Sequence, residues 1–214
     1  MRIALAIVFA SVIVPRAHAE PKTAVDWAAG LVTADGVGVA DRHAPNPAVA
    51  RGTSRRAAED AARAVLRTKL GTLPVAGGGT VGDKAKDKDV AQRLERAVAA
   101  AVAVAADPET DGAWRVTMAV PIEAVRQAID GPRPIAATGD AAAPIVVIDG
   151  VKAKPAVGWT VAGKHVATLW TAKLPDSAAT APHVTAKRAA NGDIAADLGS
   201  TAGDATLFVI ATTP

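Results

Sequence analysis

The stretch Trp114-Arg115-Val116-Thr117-Met118-Ala119-Val120, followed at once by Pro121, decides the reading of this chain. Trp114, Val116, Met118 and Val120 alternate with Arg115 and Thr117, so the large apolar side chains fall on one side of an extended segment. A period of two marks a strand with one buried face. Pro121 suits the first turn of a helix, where its missing N–H costs nothing, and that helix is expected to run through Ile129. A strand that feeds a helix, with more helices upstream, predicts an α+β fold.

Upstream, Ala101–Ala105 is the expected partner strand, and Asp107–Gly112 the turn between the two. A helix is expected from Asp87–Asp89, with Val90, Leu94, Ala97, Val98 and Ala101 inward and Glu95 and Arg96 outward. Asn46-Pro47 gives an N-cap and a first-position proline for a longer helix that reaches Leu70 and stops at Gly71. Its apolar stripe is Ala58, Ala61, Ala62, Val65, Leu66 and Leu70, and Glu59, Arg63 and Arg67 mark the wet face. Gly52 costs about 1 kcal/mol relative to alanine inside a helix, which moves the expected start toward Thr53 or Ser54. Val25–Val39 reads as strand punctuated by turns at Gly30, Gly36 and Gly38, and Val75–Asp87 as a Gly- and Lys-rich loop. Together these predict a unit over residues 22–130, a small antiparallel sheet packed by two to three helices.

Residues 131–143 are rich in Pro, Gly and Ala, lack periodicity and read as a linker. Residues 144–214 contain no long helical pattern. Ile145-Val146-Val147-Ile148, Val157–Val161, Val166–Trp170, Ile194–Leu198 and Thr206–Ala211 predict a smaller β-rich unit.

The chain begins with a short basic start at Met1-Arg2, a twelve-residue apolar stretch over Ile3–Val14, then Pro15-Arg16 and Ala17-His18-Ala19. This is the layout of a secretory leader over residues 1–19, cleaved between Ala19 and Glu20. Twelve residues span about 18 Å as a helix, short of a hydrocarbon core of about 30 Å. The expected product is periplasmic or secreted. With no cysteine it is not an N-terminal Cys lipoprotein, and no transmembrane helix is expected.

Half of the 214 residues are apolar, the formal net charge is only +3, and loss of Arg2 and Arg16 with the leader lowers it to +1. This composition excludes a disordered tail. The absence of cysteine excludes disulfide scaffolds, thiol catalysis and cysteine-based zinc sites. Tyrosine is absent and aromatics are 3%, which argues against stacking platforms for single-stranded nucleic acid. The densest basic cluster, Arg51, Arg55, Arg56, Arg63 and Arg67, has Glu59 and Asp60 within it and reads as a solvated helix face, so no nucleic-acid partner is expected.

Each catalytic pattern fails on residue type or spacing. Gly77-Gly78-Gly79-Thr80-Val81-Gly82 approaches a phosphate loop, but Asp83 stands where a lysine is needed and would repel a phosphate. Ser54, Ser177 and Ser200 lie in no nucleophile elbow. His43, His165 and His183 have no metal-ligand spacing. Asp83, Asp87 and Asp89 miss the calcium-loop pattern and alternate with Lys84, Lys86 and Lys88. Asp107, Glu109 and Asp111 read as a hairpin tip. Trp27, Trp114, Trp159 and Trp170 fall in expected strands and read as core. Asp149, at the end of the Ile145–Ile148 run, is the acidic residue to watch, with a structural role favoured. No catalytic, cofactor-binding or metal-binding residue is assigned, and no cofactor is expected.

The N-terminal unit resembles the LPP20-type envelope family, whose domain is similar to the N-terminal domain of the flagellar assembly protein FlgT. The resemblance rests on Trp27-Ala28-Ala29-Gly30 and Gly36-Val37-Gly38, then the alanine-rich helix Arg56–Leu66, the connector through Val75 and Thr80, and a strand pair ending in Trp114–Val120. Pro144–Gly150 with Lys154-Pro155-Ala156 is similar to the extension that some such proteins carry. The resemblance implies an exported envelope protein without known catalysis and transfers no functional residue. The expected function is a non-enzymatic binding or assembly module for an envelope protein or polymer, with self-association among the expected modes. The alternatives are an envelope hydrolase whose site forms only in the fold, for instance Asp149 with His165 or His183, or a small-ligand carrier.

Overall fold

A computed structural model describes residues 23–131, 144–165, 167–199 and 206–212. The leader over 1–19 and, apart from Gly131, the linker over 131–143 lie outside the described residues. The fold is α+β, as the sequence predicts. The first half runs β1 (Thr23–Asp26), β2 (Leu31–Gly38), α1 (Pro47–Gly71), α2 (Val81–Lys84), α3 (Lys88–Ala99), β3 (Val102–Pro108), β4 (Trp114–Pro121) and α4 (Ile122–Asp130). Its sheet is antiparallel in the order β1-β2-β4-β3.

Strand β4 behaves as its periodicity requires. Its register on β2 sets Val116, Met118 and Val120 opposite Gly36, Ala34 and Val32. Helix α1 covers this face with Ala58, Ala62 and Leu66, all fully buried. Gly36 and Gly38 are not turn residues but the bed of the helix. A Cβ on Gly36 would lie 2.0 Å from Ala58 O, and one on Gly38 would lie 1.8 Å from Ser54 O. Only glycine permits that approach.

Three helix boundaries differ from expectation. Helix α1 starts at Pro47 because Asn46 Oδ1 accepts the Val49 N–H at 3.0 Å. Such a cap contributes about 1 kcal/mol, which offsets the cost of Gly52. Gly71 stays in the last helical turn, and Thr72 forms the cap. Pro121 is the N-cap of α4 rather than its first helical residue. The loop over Val75–Asp87 contains the one-turn helix α2, closed by a capping box between Thr80 and Asp83. Trp27 sits in the β1–β2 turn rather than in a strand.

The second half forms a seven-stranded mixed sheet from β5 (Ile145–Asp149), β6 (Thr160–Val161), β7 (Lys164–His165), β8 (Ala167–Thr171), β9 (His183–Ala190), β10 (Asp193–Ala196) and β11 (Leu207–Ala211), in the order β7-β6-β10-β9-β5-β11-β8. Strands β9, β5, β11 and β8 run parallel to one another. The unbroken apolar runs of β5 and β11 fit central positions buried on both faces. Val146, Ile148, Phe208 and Ile210 meet Trp170 and Ile194 on one face, and Val147 and Val209 meet Ala178 on the other. Strand β9, which carries mostly small and polar residues, has no counterpart in the sequence reading.

The halves meet along a backbone seam. Ala76 N–H donates to Val157 O (2.8 Å), Val157 N–H to Pro74 O (2.9 Å), and Trp170 N–H to Trp27 O (3.0 Å). The Trp27 side chain packs against the apolar clusters of both sheets.

Candidate functional site

Asp149 ends β5 and His183 opens β9. The parallel register pairs Val147 with His183 and Asp149 with Thr185, so Asp149 and His183 share a sheet face. His183 Nδ1 lies 2.7 Å from Asp149 Oδ2, with the side chains 47% and 40% exposed. The tautomer whose Nδ1–H donates to this carboxylate leaves Nε2 as the acceptor. That is the orienting half of a general-base arrangement. The nucleophile half is missing: among the described residues no serine hydroxyl bonds to His183. The Ser54 hydroxyl is buried beside Arg51 O (3.0 Å) and Gly112 O (2.9 Å), and Ser177 is exposed in the 3-10 turn Asp176–Ala178. Ser200 lies outside the described residues.

His165 joins a different group. Its Nδ1 is 3.4 Å from Asp130 Oδ2, and Asp130 also receives Arg126 Nη1 at 3.1 Å. Arg126 grips Glu123 with both Nε (2.8 Å) and Nη2 (2.5 Å). Its side chain is 7% exposed, and the Glu123 bonds hold its pKa above the usual arginine value against the opposing pull of burial. Glu123, Arg126 and Asp130 are spaced i, i+3 and i+7 on α4, a helical spacing that the sequence itself displays. Arg126 borders a cleft of about 270 Å³ between the α4 start and β8, walled mainly by Leu31, Ile122, Val157 and Leu169. Both carboxylates already hold the guanidinium, so the cleft presents an occupied ion pair.

The remaining sequence candidates serve the scaffold. Asp83 accepts the Thr80 N–H (3.0 Å) and Lys86 Nζ (2.9 Å), and it thus fills the helix N-terminus a phosphate would need. Lys86 chiefly, then Thr80, lowers its pKa to about 2. Asp87 caps α3 through the Asp89 and Val90 N–H groups. His43 is exposed in the loop before α1. The basic cluster on α1 is largely paired: Arg55 and Arg63 with Glu59, and Arg67 with Glu95 through two bonds of 2.6 and 2.8 Å. Arg55 also lies 5.3 Å from the centre of the Trp114 ring. Trp159 and Trp170 are buried core, 5.9 Å apart, whereas Trp27 and Trp114 are only partly buried. Among the described residues no three His, Asp or Glu side chains gather as metal ligands.

Strand β3 is one of the two edges of its sheet, and its Val102 and Val104 are 60% and 55% exposed. Its register on β4 shifts between Ala103 and Ala105, so Val104 is an extra residue in a bulge.

No family model and no curated protein matches this chain. Among the described residues no helix is long and apolar enough to cross a membrane.

Proposed function

We propose that this chain is an exported, non-enzymatic envelope protein that acts as a binding or assembly module for other envelope components, as its resemblance to the LPP20-type family implies. Export rests on the leader layout of residues 1–19. The observation that carries the binding reading is β3, an edge strand that turns Val102 and Val104 to solvent and has no charged residue before Asp107. Natural sheet edges are usually blunted by charged side chains, proline, a bulge or a covering element; β3 carries a bulge at Val104 and a proline at its far end, and its Val102–Ala106 stretch is the uncharged part that offers a template for another strand. The test is capture from an envelope extract with the tagged exported protein beside a Val102→Lys/Val104→Lys variant. Retention of a reproducible envelope component by the parent and its loss from the variant is expected. Equal retention by both, or by neither, overturns the reading.

The Asp149–His183 contact favours a second reading, an envelope hydrolase using His183 as a general base. It requires ester hydrolysis that falls at least about 100-fold in Asp149→Asn, the usual scale for a positioned base. The small-ligand carrier has weaker support, because Arg126 at the cleft is already neutralised.

A further inference from the structure

We propose that Asn191 is a deamidation site and that the isoaspartate formed there unlocks the seam between the two sheets. The proposal goes beyond the binding-module reading and does not depend on it. The chain has two asparagines. Asn46 is protected twice: its side chain caps α1, and Pro47, which follows it, has no N–H to give up. Asn191 is exposed and precedes Gly192, whose missing side chain leaves its backbone nitrogen open to the Asn191 amide.

The reaction needs water and hydroxide alone. The Gly192 nitrogen gives its proton to hydroxide and attacks Asn191 Cγ. The new N–Cγ bond closes a succinimide ring, the Cγ–Nδ2 bond breaks, and the amide nitrogen takes a proton from water and leaves as ammonia. Water then opens the ring at either carbonyl. One opening gives aspartate. The other gives isoaspartate, in which the main chain runs through Cβ and Cγ and is one carbon longer.

The place of Asn191 in the fold makes that extra carbon matter. Asn191 and Gly192, with φ of 53° and 82°, are the whole loop between β9 and β10, and Ala190 stands opposite Asp193. A two-residue loop with both φ positive fixes the strand register and has no slack. The same loop is keyed into the seam. Gly192 O accepts the Thr160 N–H at 2.9 Å, and a Cβ on Gly192 would lie 3.2 Å from the carbonyl carbon of Ala76, whose N–H is bonded to Val157. Strand β10 in turn pairs Asp193 with Thr160 and Ile194 with Val161. Lengthening the loop therefore displaces the β6–β10 pairing and the packing of Gly192 on Ala76 together. Ring opening to aspartate adds the same charge but keeps the loop length, and Asp-Gly is itself a favoured pair for this turn.

The test is incubation of the full-chain product in mildly alkaline buffer, followed by ion exchange, peptide mapping and thermal denaturation. A more acidic species is expected to accumulate, with the change mapped to Asn191 and with Asn46 intact. Its isoaspartate form is expected to melt at least about 2–4 °C below Asn191→Asp, which carries the charge without the added carbon. Asn191→Gly, which suits the same turn, is expected to form no acidic species and to keep its melt. Asp35-Gly36, Asp111-Gly112, Asp130-Gly131 and Asp149-Gly150 close the same ring without a change of charge, so they produce no acidic peak. A parent that keeps its Asn191 amide overturns the proposal. So does an isoaspartate form that melts with Asn191→Asp, or an Asn191→Gly variant that acidifies as fast as the parent.

Discussion

Replacing Gly36 by alanine adds one methyl group where α1 lies directly on β2. The new Cβ would stand 2.0 Å from Ala58 O and 2.4 Å from Ala62 N, whereas ordinary contacts begin near 3.4 Å. Both neighbours are backbone atoms inside a helix, so neither can swing aside, and α1 must withdraw by more than 1 Å. Withdrawal loosens Ala58, Ala62 and Leu66 together, and a gap of 0.5–1 Å forfeits roughly a quarter to a half of each van der Waals contact. Overpacking typically costs about 1–3 kcal/mol, and this site belongs at or above the top of that range. In an uncrowded strand the same change would stabilise by about 0.5–1 kcal/mol, so steric contact and backbone entropy predict opposite signs. With a urea slope of about 2 kcal/mol/M, a loss of about 3 kcal/mol lowers the unfolding midpoint by about 1.5 M. Gly52→Ala is the matched control. It lies inside α1 with nothing within 4 Å of its Cβ position, and it should raise the midpoint by about 0.3–0.5 M. Far-UV circular dichroism against urea reads both. A Gly36→Ala midpoint equal to or above the parent's would refute the close-approach argument.

Three further outcomes follow from the ion pairs. Glu123→Ala should destabilise by about 2–3 kcal/mol, more than Arg126→Met, because the first leaves a buried guanidinium with Asp130 as its one remaining partner of the two and unpairs its Nε and Nη2, whereas the second leaves the more exposed carboxylates; thermal denaturation of the two variants gives the order. Asp83 binds a proton in the unfolded chain near pH 4 but in the folded chain only near pH 2, so its contribution to stability is present above about pH 4 and lost as pH falls through that window. Carboxyl NMR should show the depressed Asp83 pKa, and Lys86→Ala should move it upward. Glu95 is likewise held below its usual value by Arg67, so Arg67→Ala should raise the Glu95 titration midpoint in the same experiment.

How much of this was legible in the sequence depends on the range of the interactions. The β4 alternation, the Asn46-Pro47 cap and the stripes of α1 and α3 are local signals, and the elements they predict are present. The central burial of β5 was legible in the unbroken Ile145–Ile148 run. Strand β9 was not, because His183–Ala190 carries small and charged residues whose place is set by pairing with β5 and β10. Gly36 and Gly38 resemble turn signals on sequence alone, since a sequence records the absence of a side chain but not the helix that fills the space. The Asp149–His183 contact spans 34 positions and was accessible only as one of several pairings. Asp83 could be excluded as a phosphate-loop residue by its charge. Its role as a cap is implicit in the spacing Thr80-x-x-Asp83, which the neighbouring glycines obscure.

Those glycines bear on how the protein can be labelled. Gly77-Gly78-Gly79 has the composition an engineer would choose for inserting an epitope or a fluorophore. Yet the segment is wedged against the Asn191-Gly192 turn, where a Cβ on Gly192 would sit 3.2 Å from Gly77 N, and its neighbour Ala76 is bonded to Val157. An insertion there would pry the two sheets apart. The Thr110–Asp111 step at the tip of the β3–β4 hairpin, less conspicuous on paper, is the safer point of attachment, because both residues are exposed and a tag between them lengthens a turn, keeps Gly112 in place as the acceptor of the buried Ser54 hydroxyl (2.9 Å), and leaves the joint between the sheets closed.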